Sequence, residues 1–323
     1  MSSLAISVVI PTRNRRESVK RLLAALARQT LPTHRFEVLV CDDGSSDGTA
    51  DRVAATPVPY ALRTLSQRPL GRAAACNAGI RASRADIILF LDDDMEPAPE
   101  LLAAHLDAHA VAGTRAVMGA VPVVMTGASP PVVRLIGRKF ERHLQKLARP
   151  GHALGFRDFY SGNCSIPRSV LLSVGPFDED FTIYGNEDGE LALRMIAAGV
   201  ALVFDSTALA SQHYEKDFAR LAQDNVEKGR TAVLLAQKHP EAFSKLALSR
   251  YDATSRSWRL CRRLLLTATA VMPATSRLVV GMVTLFEKAR WPLSARGYEL
   301  ALDYFYWVGV MRSKRLQPGE RAR

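Results

Sequence analysis

Short unbroken apolar runs alternate with stretches in which apolar residues recur every three or four positions, and this rhythm carries roughly the first two thirds of the chain. Ala5–Ile10 reads as a buried strand stopped by Pro11, and Glu17–Gln29 then places Val19, Leu22, Leu23 and Leu26 on one helical stripe. Phe36–Cys41 is a second strand that runs into the turn Asp42-Asp43-Gly44-Ser45, after which Asp47 caps a predicted helix from Thr49 to Ala55. A third strand is predicted at Tyr60–Leu65, a helix over Gly71–Ala82, and a fourth strand at Ile87–Leu91 that again ends in carboxylates. Strands alternating with helices predict an α/β fold, a Rossmann-like, mainly parallel sheet flanked by helices. Ligands of such sheets collect beyond the carboxyl ends of the strands, where both acidic turns fall.

Val117–Met125 predicts a further strand. Residues 126–157 break the rhythm with Ser129-Pro130-Pro131, a basic amphipathic stretch from Val132 to Leu147, and Pro150-Gly151, so they read as a mobile insert. The globular pattern returns at Phe159, with helices at Arg168–Val174 and Asp188–Ala198, the latter ended by Gly199, and a strand at Val200–Phe204. Beyond residue 216 the pattern is helical and basic, giving a C-terminal region of 216–323 distinct from 1–215. Within it Leu264–Phe286 is apolar enough to be weighed as a membrane span. Pro273 and Arg277 interrupt it, and an arginine at mid-bilayer costs about 3 kcal/mol, which favours an interfacial or core helix.

A chain of 323 residues that is 48% hydrophobic can bury a large core. Its four cysteines, Cys41, Cys76, Cys164 and Cys261, are scattered without a C-x-x-C pair, which excludes a zinc ribbon or a secreted disulfide framework from the sequence reading. The opening residues lack the pattern of a signal peptide, so a cytoplasmic protein is expected. The net charge of +11 is unevenly placed: residues 216–323 hold 20 Lys and Arg against 9 Asp and Glu, whereas the first 215 balance. An anionic partner for the tail is expected, with a membrane surface favoured over nucleic acid because basic residues are interspersed with Trp258, Trp291, Trp307, Tyr304 and Tyr306 and no nucleic-acid motif is present. Core packing accounts for those aromatics equally well.

The candidate chemistry lies in the acidic turns. Asp92, Asp93 and Asp94 follow a buried strand, and their mutual repulsion calls for solvent or a cation. Alternate carboxylates at Asp92 and Asp94 suit a hard divalent ion, while a solvated loop is the plain alternative. The run from Asp43 to Gly48 superficially resembles a calcium loop, but its twelfth position is Ala54 where a bidentate Glu belongs.

Five motifs occur in order: Val8-Val9-Ile10-Pro11-Thr12-Arg13-Asn14-Arg15, Cys41-Asp42-Asp43-Gly44-Ser45-Ser46-Asp47, Asn77-Ala78-Gly79-Ile80, Phe90-Leu91-Asp92-Asp93-Asp94, and Tyr184-Gly185-Asn186-Glu187-Asp188-Gly189-Glu190-Leu191. In this order they resemble family 2 glycosyltransferases over roughly residues 4–215. The resemblance implies a GT-A fold and an inverting transfer of sugar from a nucleotide-diphosphate donor, UDP-, GDP- or dTDP-linked, to the hydroxyl of a sugar or lipid-linked acceptor. It makes 1–215 the catalytic domain, with 126–157 on the acceptor side. Bacterial polysaccharide or glycolipid synthesis, on the cytoplasmic face of the inner membrane, is the implied setting. By the same resemblance Pro11, Thr12 and Arg13 line the nucleotide pocket, Asp43 holds the base with Asp42 beside it, Asn77 and Asp93 belong to the donor side, and Asp92 faces ribose and sugar. Asp94 binds Mn2+ or Mg2+, helped by Asp92 and by His213 in Ser211-Gln212-His213-Tyr214. Asp188, next to Glu187, is the implied general base; helix capping is the alternative role for this pair.

One departure stands out. Many relatives carry Ala-Arg-Asn where this chain has Ala75-Cys76-Asn77, and Arg72, one helical turn earlier, is positioned to supply the missing charge. Two other readings compete. A sugar-1-phosphate nucleotidyltransferase needs a Gly-rich basic loop after the first strand, which Pro11-Thr12-Arg13-Asn14 is not. A non-catalytic nucleotide-sugar or membrane-surface binding protein has no use for both Asp94 and Asp188.

Overall fold

The computed structural model describes residues 4–127, 129–289, 291 and 293–313. The basic stretch 314–323 of the expected C-terminal region therefore lies outside the described residues.

The unbroken apolar runs form strands covered on both faces, as their composition requires. They are β1 (Ile6–Thr12), β2 (Phe36–Asp42) and β4 (Ile87–Leu91), with every residue of β1 and β2 buried; β3 (Ala61–Ser66), at the sheet edge, is polar in part and only half-buried. Four further strands complete the sheet: β5 (Met95–Pro97), β6 (Arg115–Ala120), β7 (Asn163–Pro167) and β8 (Ala201–Gln212). The strand order is β3-β2-β1-β4-β7-β6-β8-β5. β1, β2, β3 and β4 pair in parallel, as does β6 with β8, but β7 runs antiparallel to both β4 and β6, and β5 antiparallel to β8. The sheet is thus mixed, with the order switching at β1 and β4, whose carboxyl ends carry Thr12 and the Asp92 run.

The helices between these strands are α1 (Arg16–Leu26), α2 (Thr49–Ala54), α3 (Arg72–Ala82), α4 (Leu101–Ala110), α5 (Pro131–Leu147), α6 (Arg168–Val174) and α7 (Glu187–Ala197). The predicted stripe of α1 is buried at Val19, Leu22, Leu23 and Leu26 against the apolar side chains of β1 and β2. α3 lies so close to the sheet that a Cβ built on Gly79 would meet Val9 Cγ1 at 2.3 Å.

Three elements depart from the sequence reading. The strand expected at Val117–Met125 starts two residues earlier and ends at Ala120; beyond it only an isolated bridge, Val123 to Gln212, continues the pairing. The strand expected at Val200–Phe204 continues to Gln212, with its register against β6 shifting at Gly119 and Ala120. β7 carries Asn163, Cys164 and Ser165 rather than an apolar run, so it did not read as a strand. Its polar side chains are buried because α4 supplies partners. Asn163 Oδ1 meets His105 Nε2 at 2.9 Å, and Ser165 Oγ meets His105 Nδ1 and His109 Nε2, each at 2.8 Å.

Burial pushes the fully buried His105 down to about 4, despite the favourable Asn163 hydrogen bond. The folded protein therefore holds His105 neutral where the unfolded chain takes up a proton below about pH 6.5. Stability is expected to fall as pH drops from about 6.5 towards 4, with His105 contributing about 3 kcal/mol to that loss. Urea midpoints measured across this range check it, and His105→Leu should remove its share of the slope.

The chain divides into two compact units. The first comprises the N-terminal residues through Met125, with Ile136–Thr182 and Glu187–Tyr214; the second comprises Thr126–Leu135, Ile183–Asn186 and the chain from Glu215 onward. In the second unit α8 (Phe218–Lys238) packs on α11 (Ala295–Ser313), and α9 (Arg256–Val271) and α10 (Thr275–Lys288) lie between them in sequence. Gly229 and Gly309 let α8 and α11 touch backbone to backbone: a Cβ on either would stand 2.0 Å from a carbonyl oxygen of the other helix.

The apolar stretch Leu264–Phe286 is broken at Pro273 into α9 and α10, and among the described residues no helix is long and apolar enough to cross a membrane. The five tail aromatics, for which a surface and a core role were both open, divide between the two. Tyr304 and Trp307 are buried, and the half-buried Trp258 donates from Nε1 to Asp303 Oδ2 at 2.7 Å. Arg262, also fully buried, donates to the same carboxylate at 2.8 Å and lies over the Tyr251 ring. Trp291, by contrast, is 78% exposed.

Candidate active site

Parallel pairing brings the ends of β1, β2 and β4 to one edge of the first unit. Thr12 is paired with Asp42 in register, and Asp43 N donates to Thr12 O at 2.9 Å, which continues the ladder past the strand ends. Thr12 Oγ1 then reaches across to Asp93 Oδ2 at 2.7 Å, joining the first and fourth motifs. Burial, followed by the charge of Asp94, raises Asp93 to about 7. Pro11 is buried beneath this edge and Arg13 is exposed at it.

The second motif is held by its own turn. Asp42 accepts from Ser45 N at 3.2 Å and from the Ser45 hydroxyl, while Asp47 accepts from Thr49 N at 3.0 Å at the start of α2. Asp43 is buried, and its carboxylate accepts from Gln67 Nε2, Leu70 N and Gly71 N, all at 2.8–2.9 Å. It thereby fixes the loop that leads into α3. Gly71 is required at that junction: its φ is +98°, and an added Cβ would lie 2.6 Å from Thr182 O.

α3 presents Arg72 to three carboxylates. Its guanidinium donates to Asp92 Oδ1 at 2.7 Å and to Asp188 Oδ1 at 3.4 Å, and stands 3.9 Å from Glu187 Oε1. Cys76 lies one turn on, fully buried, with its thiol pKa raised by burial. The residue standing where relatives carry arginine is therefore neutral, and Arg72 brings the cation to the site. Arg72→Met should cost about 2 kcal/mol, discounted because these side chains keep 21–34% exposure, since Asp92 and Asp188 then face each other uncompensated. Urea denaturation checks this, and Arg72→Lys should recover part of the loss.

Asp188 lies in the first turn of α7, where the helix dipole favours a carboxylate, and Glu187 beside it is buried. The buried Ser161 hydroxyl donates to Asp188 Oδ1, so Asp188 is gripped from two sides while its side chain stays 27% exposed. Gly162 follows: its carbonyl accepts from Asp92 N at 2.9 Å, and a Cβ there would lie 2.6 Å from Asp92 Oδ2. Asn77 is placed differently. Its amide is buried against the loop after α6, donating to Phe177 O and Glu179 Oε1 at 2.8 Å each and accepting from Phe177 N. It braces that loop instead of meeting Asp92 and Asp188.

β8 ends beside Asp94. His213 N donates to Asp94 O at 2.8 Å, and Gln212 Nε2 to the Asp94 carboxylate at 3.1 Å. The His213 imidazole meets Glu96 Oε2 at 2.7 Å. Among the described residues no three His, Cys, Asp or Glu side chains stand close enough together to enclose a metal ion. The donor chemistry nevertheless fits a hard cation that takes its remaining ligands from phosphate and water. Asp94 and Asp92 offer carboxylate oxygens, and the buried Gln212 Oε1 beside Asp94 has no hydrogen-bond partner.

Ser161, Gln212 and Glu96 were not singled out by sequence reasoning, and Gly162 only as the start of a specificity region over 162–166. Small polar residues ahead of a strand, as in Ser161-Gly162-Asn163, give no signal of the carboxylate they approach, because the approach spans about 70 residues at Asp92 and 27 at Asp188.

A mixed sheet of this order, with carboxylates gathered at the parallel strand ends and a helical C-terminal region, defines a GT-A fold. The family model described as glycosyl transferase family 2 matches residues 7–175, and the chain belongs to that family. It is 31% identical over 268 residues to a validoxylamine A glucosyltransferase of Streptomyces hygroscopicus subsp. jinggangensis, a match that covers 75% of this chain and 62% of that protein. The fold is shared with the mannosyltransferase PcManGT of Pyrobaculum calidifontis, solved with GDP-Man and Mn2+, at a TM-score of 0.60 and 21% identity, covering 98% of this chain and 88% of that one. It is shared too with residues 1–349 of S. aureus TarS in complex with UDP-GlcNAc, at a TM-score of 0.54 and 16% identity, over 96% and 92% of the two chains.

Proposed function

We propose that this protein is an inverting glycosyltransferase that moves a sugar from a nucleotide-diphosphate donor to an acceptor hydroxyl with the help of Mn2+ or Mg2+. The observation that carries the reading is the single cluster in which Arg72 bridges Asp92 of the fourth motif to Asp188 of the fifth. Donor-side and acceptor-side carboxylates thus share one cation across 4 Å or less. Structures of GT-A relatives with GDP-Man and Mn2+, or with UDP-GlcNAc, support the donor class.

In this reading Asp188 accepts the proton of the attacking hydroxyl. Ser161 orients its carboxylate, and Asp92 and Arg72 position the donor sugar. Pro11, Thr12, Arg13, Asp42 and Asp43 form the nucleotide side, with Asp43 acting through the Gln67–Gly71 loop that it fixes. Asp94 and Asp92 would hold the cation, with His213 turned from Glu96 as a further ligand, and the cation would neutralise charge on the departing diphosphate. One displacement at the anomeric carbon with one base inverts its configuration. Residues 126–157 are assigned to the acceptor side of a catalytic domain of about 1–215. A sugar or lipid-linked acceptor, in bacterial polysaccharide or glycolipid synthesis, fits a basic C-terminal region that associates with an anionic membrane surface on the cytoplasmic face.

A thermal-shift panel of UDP, GDP, dTDP and CMP, each with and without Mn2+, tests nucleotide and cation together. Stabilisation by one nucleotide that grows with Mn2+ is expected. A flat response to all four rejects the reading.

A further inference from the structure

α9 is built inside out. Its buried positions are Arg262 and Thr269, whereas Leu260, Leu264 and Val271 are 61%, 63% and 82% exposed. At 100° per residue these three leucine and valine positions fall within about 40° of one another, and Arg262 and Thr269 fall on the opposite side. The turn that follows exposes Met272, and α10 then exposes Leu278, Met282 and Leu285 within about 60° of one another. Soluble surfaces scatter single apolar side chains; a row of exposed apolar residues on each of two successive helices and in the turn between them marks a contact surface.

Charge identifies the occupant. From Arg256 to Phe286 the chain has five arginines and no acidic residue. Arg256, Arg263 and Arg277 are exposed, and on its own helix each falls within about 100° of the apolar stripe. Two copies of this face would bring together arginines with no acidic residue on either copy to offset them, which disfavours self-association. An anionic bilayer satisfies both halves of the pattern, with acyl chains for the stripe and phosphates for the flank. Trp291, just beyond α10 and 78% exposed, is the residue type that favours the headgroup level.

We propose that the α9–α10 face is a membrane-docking surface that lies in the plane of an anionic bilayer, with Leu260, Leu264, Val271, Met272, Leu278 and Leu285 among the acyl chains. The inference deepens the surface association proposed above and rests on it; it does not depend on the transfer chemistry.

Flotation of the full-length protein with vesicles of phosphatidylcholine alone, or mixed with phosphatidylglycerol, tests it. Wild type is expected to float with the mixed vesicles and much less with the neutral ones. Leu264→Ser with Val271→Ser should lower the partition coefficient at least about tenfold at unchanged melting temperature, because both side chains are already exposed in solution. Arg263→Gln with Arg277→Gln should weaken the preference for phosphatidylglycerol and its salt sensitivity. Undiminished flotation of the Leu264/Val271 variant overturns this face while leaving the surface association standing. Absence of wild-type flotation overturns both. A dimer in light scattering that the Leu264/Val271 variant splits replaces the bilayer by a second copy.

Discussion

Asp188→Asn is expected to lower turnover by about 10²- to 10⁴-fold while leaving the donor KM within a small factor of wild type. The asymmetry follows from the role. A general base acts as the proton leaves the acceptor, so its loss falls on the transition state and not on the bound donor. Asn has nearly the same shape, and its oxygen can still accept from the Ser161 hydroxyl, so the position of α7 should survive. The charge that faces Arg72 is lost, but Arg72 keeps its shorter bond to Asp92 at 2.7 Å. The melting temperature should accordingly move little. Initial rates with donor and acceptor varied separately, on protein shown by melting to be folded, give the comparison. Turnover within tenfold of wild type would remove Asp188 from the reaction and make its contacts purely structural. Ser161→Ala should give a smaller loss in the same parameter, since it frees the carboxylate without removing it.

The halves of this site differ in how legible they were. Strands β1, β2 and β4 could be read because unbroken apolar runs have one economical placement in a parallel sheet, and the carboxylates that close β2 and β4 then fall at its ligand-binding edge. β7 could not be read, since Asn163 and Ser165 are stabilised in the core by His105 and His109, some 60 residues away. Asp43 shows a different limit. Its motif and place at a strand end pointed to a ligand, yet its carboxylate is occupied by Gln67, Leu70 and Gly71, contacts that involve a loop with no periodic signal. Arg72 was legible only through the family resemblance joined to spacing, as a residue one turn before the position where the resemblance implies an arginine. What spacing did not show is that it serves both Asp92 and Asp188. For α9 the apolar stretch left an interfacial or a core helix open; the structure turns Leu260, Leu264 and Val271 outward, because the ion pair of Arg262 with Asp303 and its stacking on Tyr251 occupy the inner side.

Asp94→Asn is expected to abolish the extra stabilisation that Mn2+ gives to the nucleotide complex and to lower turnover by about 10²-fold or more. Asn is preferred to Ala for this test. Asp94 is 7% exposed and accepts from Gln212 Nε2, so Ala would leave that amide unpartnered at a cost of about 1 to 2 kcal/mol and confuse folding with binding. With Asn the hydrogen bond can persist and the change is one of charge. The same substitution separates the three acidic neighbours. Asp92 is committed to Arg72, and Asp93 accepts from Thr12, with burial and the charge of Asp94 pushing its pKa up to about 7, which lowers the negative charge it can offer a cation. Asp94 therefore has the leading claim on the ion, and His213→Ala should show a weaker form of the same loss if the imidazole leaves Glu96 for the cation. Titrating Mn2+ into the nucleotide complex of each variant, read as melting temperature, ranks them without relying on turnover. Full Mn2+-dependent stabilisation in Asp94→Asn would move the cation away from β8 and towards Asp92, and Arg72 would then have to give up its shortest ion pair on metal binding.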